Sequence, residues 1–244
     1  MRLLANHSIL KCRVVETGEN VQTGKIERVY AAEPVCKFFL KDSDGTGSLR
    51  SLFILCNDHV VFKTMSHLKD VILQGTDACV SAHGMKVFEY IASDEQFAEK
   101  FNPGMSESST MFMKKFLEKY KGFEDVNTLV DVGGAAGTLL EVVTSRYPHI
   151  KGINFDLPPA IAYAHAYPEK GKVIVLDVVM PIEPKCDDLA SNLGLTLDMF
   201  ILAQRSGGRE RTLPELEALG CAAGFSRCEF ICRAYSLSLI EFHK

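Results

Sequence analysis

The sequence predicts an α/β chain: a doubly wound, Rossmann-like sheet in its second half, preceded by a largely helical region. Three observations carry this. An apolar run at 128–132 leads at once into Gly133-Gly134-Ala135-Ala136-Gly137 and then into a helical stretch at 138–147. A second strand-like run, 151–156, follows and ends in an acid, Asp156. A third, 172–179, is apolar on both alternating sets of positions, as strands of a covered parallel sheet are.

The other elements can be justified in chain order. Residues 1–11 read as a short helix with Leu3, Leu4 and Ile9 to one side. Two β-rich segments, 11–16 and 27–40, flank Gly18-Glu19-Asn20 and Thr23-Gly24 and read as a hairpin. A helix followed by a hairpin is winged-helix-like, or equally a small α+β cap. With only Arg2, Lys11 and Arg13 nearby, it is no DNA-reading module. After the polar loop at 42–48, apolar residues recur at helical spacing as far as Lys121, as in Leu68/Ile72, Phe88/Ile91 and Met113/Phe116/Leu117/Tyr120. A break is expected at Pro103-Gly104. Met105, Met111 and Met113 lie near Phe97, Phe101 and Phe112; such a cluster is either packing or the adaptable wall of a pocket for a flat aromatic ligand. Past the third strand, Met180-Pro181 stops the run, 187–203 reads as a helix and Gly207-Gly208 as a turn. Thr212 and Glu215 form a capping box with Pro214 in the first turn, and 227–233 and 236–242 read as antiparallel strands. The expected division is 1–50, winged-helix-like; 51–121, helical; and 122–244, the sheet domain.

Composition narrows the function. At 47% hydrophobic and 24% charged residues, 244 residues can bury a real core. Lys and Arg total 27 against 31 Asp and Glu, a net charge of −4, which excludes a strongly basic nucleic-acid binder. No apolar run approaches the ~18 residues of a membrane span, and the N-terminus has no signal-peptide pattern, so a cytoplasmic location is expected. The eight cysteines include no C-x-x-C pair and read as reduced core residues. Cys228 and Cys232 lack zinc-site spacing, so no metal is expected.

The chemistry points to the strand–glycine turn–helix–strand–acid unit. Glycines let a backbone approach a ligand closely, the helix N-terminus presents N–H groups to it, and an acid ending the second strand can accept from two ribose hydroxyls. Asp156 lies 19 residues after Gly137, close to nucleoside-site spacing. The pattern alone does not separate NAD(H) from S-adenosylmethionine.

Several stretches then resemble a known family. The segments 129–137, 151–158, 171–175 and 207–212 are similar to plant caffeic acid-type O-methyltransferases. Segments 88–91, 105–110 and 122–128 also resemble the anthranilate N-methyltransferase branch. The resemblance implies a dimerising N-terminal winged-helix part, a Rossmann-like methyltransferase domain, S-adenosylmethionine as methyl donor and a small aromatic acceptor bearing a hydroxyl or an amine. It assigns the donor to Gly133, Gly134, Asp156, Leu157 and Ser109. It assigns the acceptor pocket to Phe97, Phe101, Met105, Leu197, Phe200 and Ile201, with Asn57 reaching in from the partner subunit. Asp177 and Glu210 match two carboxylates that orient a catalytic histidine.

Three departures stand out. Ala135 replaces a glycine, which is costly if the turn needs positive φ. The N-terminal dimerisation region is short by family standards. Between Tyr167-Pro168 and Glu169-Lys170-Gly171 the family has an intervening stretch, here absent, that carries two strands, a helix and the catalytic histidine. No remaining histidine fits: His165 reads as a linker residue, and His59, His67 and His83 belong to the helical region. One deleted strand would neighbour the first strand, so 172–179 is expected to move in, with Ile174 alongside Val130. The leading reading is a methyltransferase-family enzyme impaired by the lost histidine, forming homodimers or heterodimers and binding neither nucleic acid nor membrane. A second reading is a dead paralogue that heterodimerises with an intact methyltransferase and regulates it; a third is an NAD-dependent dehydrogenase.

Overall fold

The computed structural model describes residues 1–17, 25–40, 47–155, 171–184, 188–205 and 207–244. At the start, α1 (Arg2–Asn6) precedes a hairpin in which β1 (Leu10–Thr17) pairs antiparallel with β2 (Lys25–Ala32), Leu10 opposite Ala32. The second strand is shorter than expected, because Pro34 begins a 3₁₀ turn over Pro34–Phe39. Proline suits a first turn, having no N–H to contribute to a ladder.

The helical region comprises α2 (Arg50–Cys56), α3 (His59–Ser66), α4 (Leu68–Gln74), α5 (Ala78–His83), α6 (Val87–Ser93) and α7 (Glu95–Leu117). Its punctuation is written in short acids and glycines. Asp58, Asp77 and Asp94 accept from Val60 N, Val80 N and Phe97 N at helix starts. Gly75 and Gly84 close α4 and α5 at φ 66° and 78°. Asp58 also takes Lys100 Nζ at 2.5 Å, tying α3 to α7. The expected break at Pro103-Gly104 does not occur: α7 runs through it. Tertiary packing explains this. A Cβ on Gly104 would lie 3.2 Å from Leu55 Cδ2 and 3.5 Å from Leu52 Cα, so the glycine is the crossing point at which α2 lies close on α7.

In the second half, β3 (Thr128–Val132) and β4 (Lys151–Phe155) form a parallel pair with Val130 opposite Ile153, joined by α8 (Thr138–Arg146). β5 (Lys172–Asp177) lies antiparallel to β9 (Leu237–His243), and β9 also pairs with β8 (Arg227–Ala234), with a register shift between Phe230 and Cys232. A short β6 (Val179–Met180) pairs with β7 (Arg211–Thr212) in parallel. α9 (Leu189–Gln204) and α10 (Leu213–Ala222) complete the domain, α10 opening with the expected Thr212–Glu215 capping box.

The expected pairing of β5 with β3 is overturned: Ile174 lies opposite Glu241, and among the described residues β3 pairs only with β4. The reason lies in the β5–β9 contact. Lys172 Nζ reaches Glu241 Oε1 at 2.6 Å and the Tyr120 hydroxyl at 3.1 Å, while Tyr120 itself donates to Glu241. β9 is the buried centre of its sheet, with Leu239 and Ile240 almost fully enclosed. Moving β5 to β3 would break this ion pair or drag the whole three-stranded sheet along. The main core joins the two halves: Met113, Phe116, Leu117 and Tyr120 pack with Phe123, Val143, Tyr147 and Leu239.

Candidate functional site

The best-defined part of the site is the turn from β3 into α8. Gly133 and Gly137 both sit at φ 77°, in the left-handed region that glycine tolerates. Ala135, expected to be awkward there, is held at φ 46°. Three bonds pin the turn: Gly133 N to Phe155 O at 2.7 Å, Gly137 N to Gly134 O at 2.7 Å, and Asn154 Nδ2 to Ala135 O at 2.9 Å. A Cβ on Gly134 would fall 2.2 Å from Asn154 Oδ1 and 2.6 Å from Asp131 Oδ2, whereas nothing lies within 4 Å of one on Gly133. The turn is therefore closed against the sheet and open at its first residue. The residue that precedes α8, Gly137, has no side chain with which to cap its first turn. Closely approachable backbone beside uncapped helix N–H groups suits a nucleoside with a polar, zwitterionic tail.

Asn154 and Asp131 were not singled out from sequence. Each interrupts an apolar strand at register-paired positions, and that is the signal that could have found them. Asp156, Leu157 and His165 lie outside the described residues, as does the 168–169 junction. Ser109 is half-buried on α7.

The acceptor candidates divide. Phe97 is buried with Leu55, Val60 and Val61, and Phe101 and Phe200 pack against the same cluster, so α7 and α9 do bring three of the aromatic candidates together. Phe97 and Phe101 ring centroids are 6.4 Å apart. Leu197 and Ile201 are half-buried on α9, whereas Met105 is 38% exposed on α7. Asn57 is exposed and donates to Phe53 O at 2.8 Å, so within one chain it does not join this cluster. Arg205, just past α9, stacks 4.9 Å from the centre of the Phe88 ring and ties α9 to the helical region.

Asp177 and Glu210 are neighbours by construction, since β6 and β7 pair Val179 with Arg211. Asp177 Oδ1 accepts from Val178 N at 2.8 Å, and Glu210 N donates to Asp198 Oδ1 on α9 at 2.7 Å. Burial raises the pKa of Asp177 against the pull of the Val178 N–H and Arg211. Burial, reinforced by Asp177 and Asp198, pushes Glu210 up to about 7, with Arg211 opposing. Burial and mutual repulsion of these acids favour a proton shared in their vicinity. The described histidines with recorded partners are engaged elsewhere: His59 by Asp58, His67 by Asp70, His83 on Thr64 and Val60, His149 against Tyr147, and His243 by Glu241. Among the described residues no group of acids, histidines and cysteines could hold a metal, and no helix is long and apolar enough to cross a membrane.

Comparisons with known proteins find relatives along the whole chain. A profile of the O-methyltransferase domain matches residues 65–167 and 163–226, in two pieces. Indole glucosinolate O-methyltransferase 3 of Arabidopsis thaliana is 41% identical over 291 aligned positions, covering 100% of this chain and 76% of that protein. Caffeic acid 3-O-methyltransferase 1 of Populus kitakamiensis is 38% identical, covering 100% of this chain and 78% of its own. Among solved structures, human N-acetylserotonin methyltransferase in complex with S-adenosylmethionine superposes with TM-score 0.75 at 18% identity, over 100% of this chain and 81% of that one. The mitomycin 7-O-methyltransferase superposes at TM-score 0.71 and 17% identity, again over 100% and 81%.

Proposed function

This chain belongs to the O-methyltransferase family, whose methyl donor is S-adenosylmethionine, and from that premise we propose that it binds the donor at the β3–α8 turn and an aromatic acceptor between α7 and α9, with methyl transfer impaired. The observation that supports the impairment is the Asp177–Glu210 pair, against which no imidazole is recorded among the described residues. Bound there, the donor would supply an electrophilic methyl carried on sulfonium sulfur. The chain's own residues do the rest. Gly133 and Gly134 admit the donor's amino-acid part, Asp156 takes the ribose hydroxyls with Leu157 beside the base, and Ser109 contacts the donor from α7. Phe97, Phe101, Met105, Leu197, Phe200 and Ile201 orient the acceptor ring, and Asn57 completes the pocket from a partner subunit.

A phenol must lose its proton as it attacks, and general-base assistance is worth ~10²–10⁴-fold. Alignment alone still contributes, and a neutral amine needs less help, so an anthranilate-type amine suffers less from the loss. We assign 1–50 to dimerisation, 51–121 to the helical acceptor side and 122–244 to the methyltransferase domain, in a cytoplasmic protein. The similarity to plant enzymes acting on indole glucosinolates and caffeic acid supports a small aromatic acceptor. The second reading, a regulatory heterodimer with an intact relative, is favoured by Asn57, which stands exposed and away from its own chain's cluster.

Calorimetry with S-adenosylhomocysteine and with NAD tests the donor site. Binding of the former only is expected, and Gly134→Ala should abolish it, because the added methyl meets Asn154 and Asp131. Labelled donor with a phenol and anthranilate panel tests the impairment; turnover at ordinary rates of ~1–10³ s⁻¹ would refute it. Co-purification with an intact relative would support the heterodimer.

A further inference from the structure

The aromatic cluster between α7 and α9 has a cation on its rim. Arg205 ends α9, with its N–H still bonded to Ile201 O at 3.0 Å one turn back. Its guanidinium reaches α6 and stacks 4.9 Å from the centre of the Phe88 ring. Phe88 lies one turn before Ile91, which packs with Tyr90 on the buried Phe97 cluster that Phe200 joins from α9. Lys100 on α7 is paired with Asp58 at 2.5 Å, and Arg209 with Glu215 at 2.6 Å. Arg205 has no acid partner among the described residues. A guanidinium lying on a ring keeps the N–H groups of its edge available, in a fork that fits a carboxylate. A cation that only complemented the helix C-terminus would serve as well in open solvent; Arg205 is instead carried across to a second element.

The same side of α9 is acidic further back. At ~3.6 residues per turn, Leu197, Ile201 and Arg205 fall in one row, with Asp198 beside it. Asp198 Oδ1 accepts the Glu210 N–H at 2.7 Å, which sets Glu210 and its neighbour Asp177 towards that end. From Asp198 to Arg205 is seven residues, ~10 Å at a rise of ~1.5 Å each. Leu197 and Ile201, both half-buried, fill the interval. The row is therefore apolar between acids at one end and a cation at the other. An aromatic ring with a short acid chain across from its hydroxyl has the same polarity and a matching span.

We propose that Arg205 determines which acceptors this chain takes: aromatic acids whose carboxylate lies across the ring from the group to be methylated. The guanidinium, braced on Phe88, grips the carboxylate by its edge, and the nucleophile is left towards Asp198 and Glu210. The inference rests on the acceptor placement proposed above and names the substrate class for it. A carboxylate that adjoins the nucleophile, as in anthranilate, reaches only one end of the row.

The test is calorimetric binding to the full chain, with S-adenosylhomocysteine present, of 4-hydroxycinnamate and of its methyl ester. The acid is expected to bind at least about tenfold more tightly than the ester (1.4 kcal/mol), and the advantage should shrink with added salt. Arg205→Met keeps an unbranched side chain over Phe88 without the charge; it should erase the preference by weakening the acid alone. Arg205→Lys, which keeps the charge but not the fork, should retain part of it. Anthranilate should show no such preference over its own methyl ester. Ester binding without a preference for 4-hydroxycinnamate overturns this inference alone, as does a preference that survives Arg205→Met. Equal losses for acid and ester in Arg205→Met also overturn it, and make Arg205 a packing residue of the α6–α9 contact. An equal preference with anthranilate overturns the span. If neither acid nor ester binds the wild-type chain, the acceptor placement itself falls, and this inference with it.

Discussion

Ala135 shows how a single methyl group can matter in a donor turn. Its φ of 46° is left-handed, costing an L-residue roughly 1–2 kcal/mol, partly offset because alanine loses less entropy than glycine on folding. Ala135→Gly should therefore raise stability by about 0.5–1 kcal/mol, read as a higher midpoint in urea with unchanged m-value. Affinity for S-adenosylhomocysteine should not fall, because the Asn154 bond is to the backbone carbonyl of residue 135 and survives the change. Glu210 offers a pH signature. Its folded pKa of about 7 lies above the ordinary 4.5, so the native state holds a proton that the unfolded chain releases. Stability from this group is fully present below about 4.5, declines as pH rises towards 7 and is flat above it. Glu210→Gln should remove that decline, leaving the mutant more stable relative to wild type at pH 8 than at pH 5 in paired denaturation curves. If the two curves keep a constant offset, Glu210 is not the titrating group.

At the scale of elements, the sequence was legible wherever local chemistry decides. The β3–turn–α8–β4 unit shows in its apolar runs and glycines, and the Thr212–Glu215 box shows in two residues. Pro103-Gly104 misled because helix breaking is a local tendency, and the close approach of α2 at Gly104 is a tertiary fact with no local trace. Asn154 was hidden for a similar reason: its bond to Ala135 depends on the β3–β4 register, which the chain fixes only when folded. The partner of β5 was misjudged because apolar faces say that a strand is buried, not beside which strand. The polar residue at its start decides that. Lys172→Met should uncouple β5 from Tyr120 and Glu241, leaving a carboxylate with 8% exposed side-chain area short of its cation. The expected loss is about 3 kcal/mol, a fall in Tm of ~6–12 °C for a chain of this size. Burial alone would raise the pKa of Glu241, but the Lys172 and Tyr120 hydrogen bonds hold it below the ordinary value. The stabilisation is thus present above the unfolded carboxylate pKa and lost as pH falls through the folded one, so wild type and Lys172→Met should converge in strong acid.

At the scale of the whole molecule, the chain keeps the family's frame, superposing along its full length on complete methyltransferases, while lacking 47 aligned positions of a close relative. Two consequences of that gap are separable. On the function proposed above, one is chemical, a proton acceptor opposite Asp177 and Glu210; the other is architectural, the apolar face of β3–β4 on which Val130, Val132 and Ile153 are 38%, 49% and 40% exposed. Splicing the relative's segment in cis between Pro168 and Glu169 should restore both together. Methyl transfer to a phenol is expected to rise by ~10²–10⁴-fold, and the amides of Val130 and Val132, which point away from β4, should become protected from exchange. The same insertion with its histidine replaced by alanine should keep the protection and lose most of the rate. If that variant instead regains full rate, the acids of this chain already suffice as the proton acceptor, and its impairment comes from an incompletely covered sheet that positions the donor poorly.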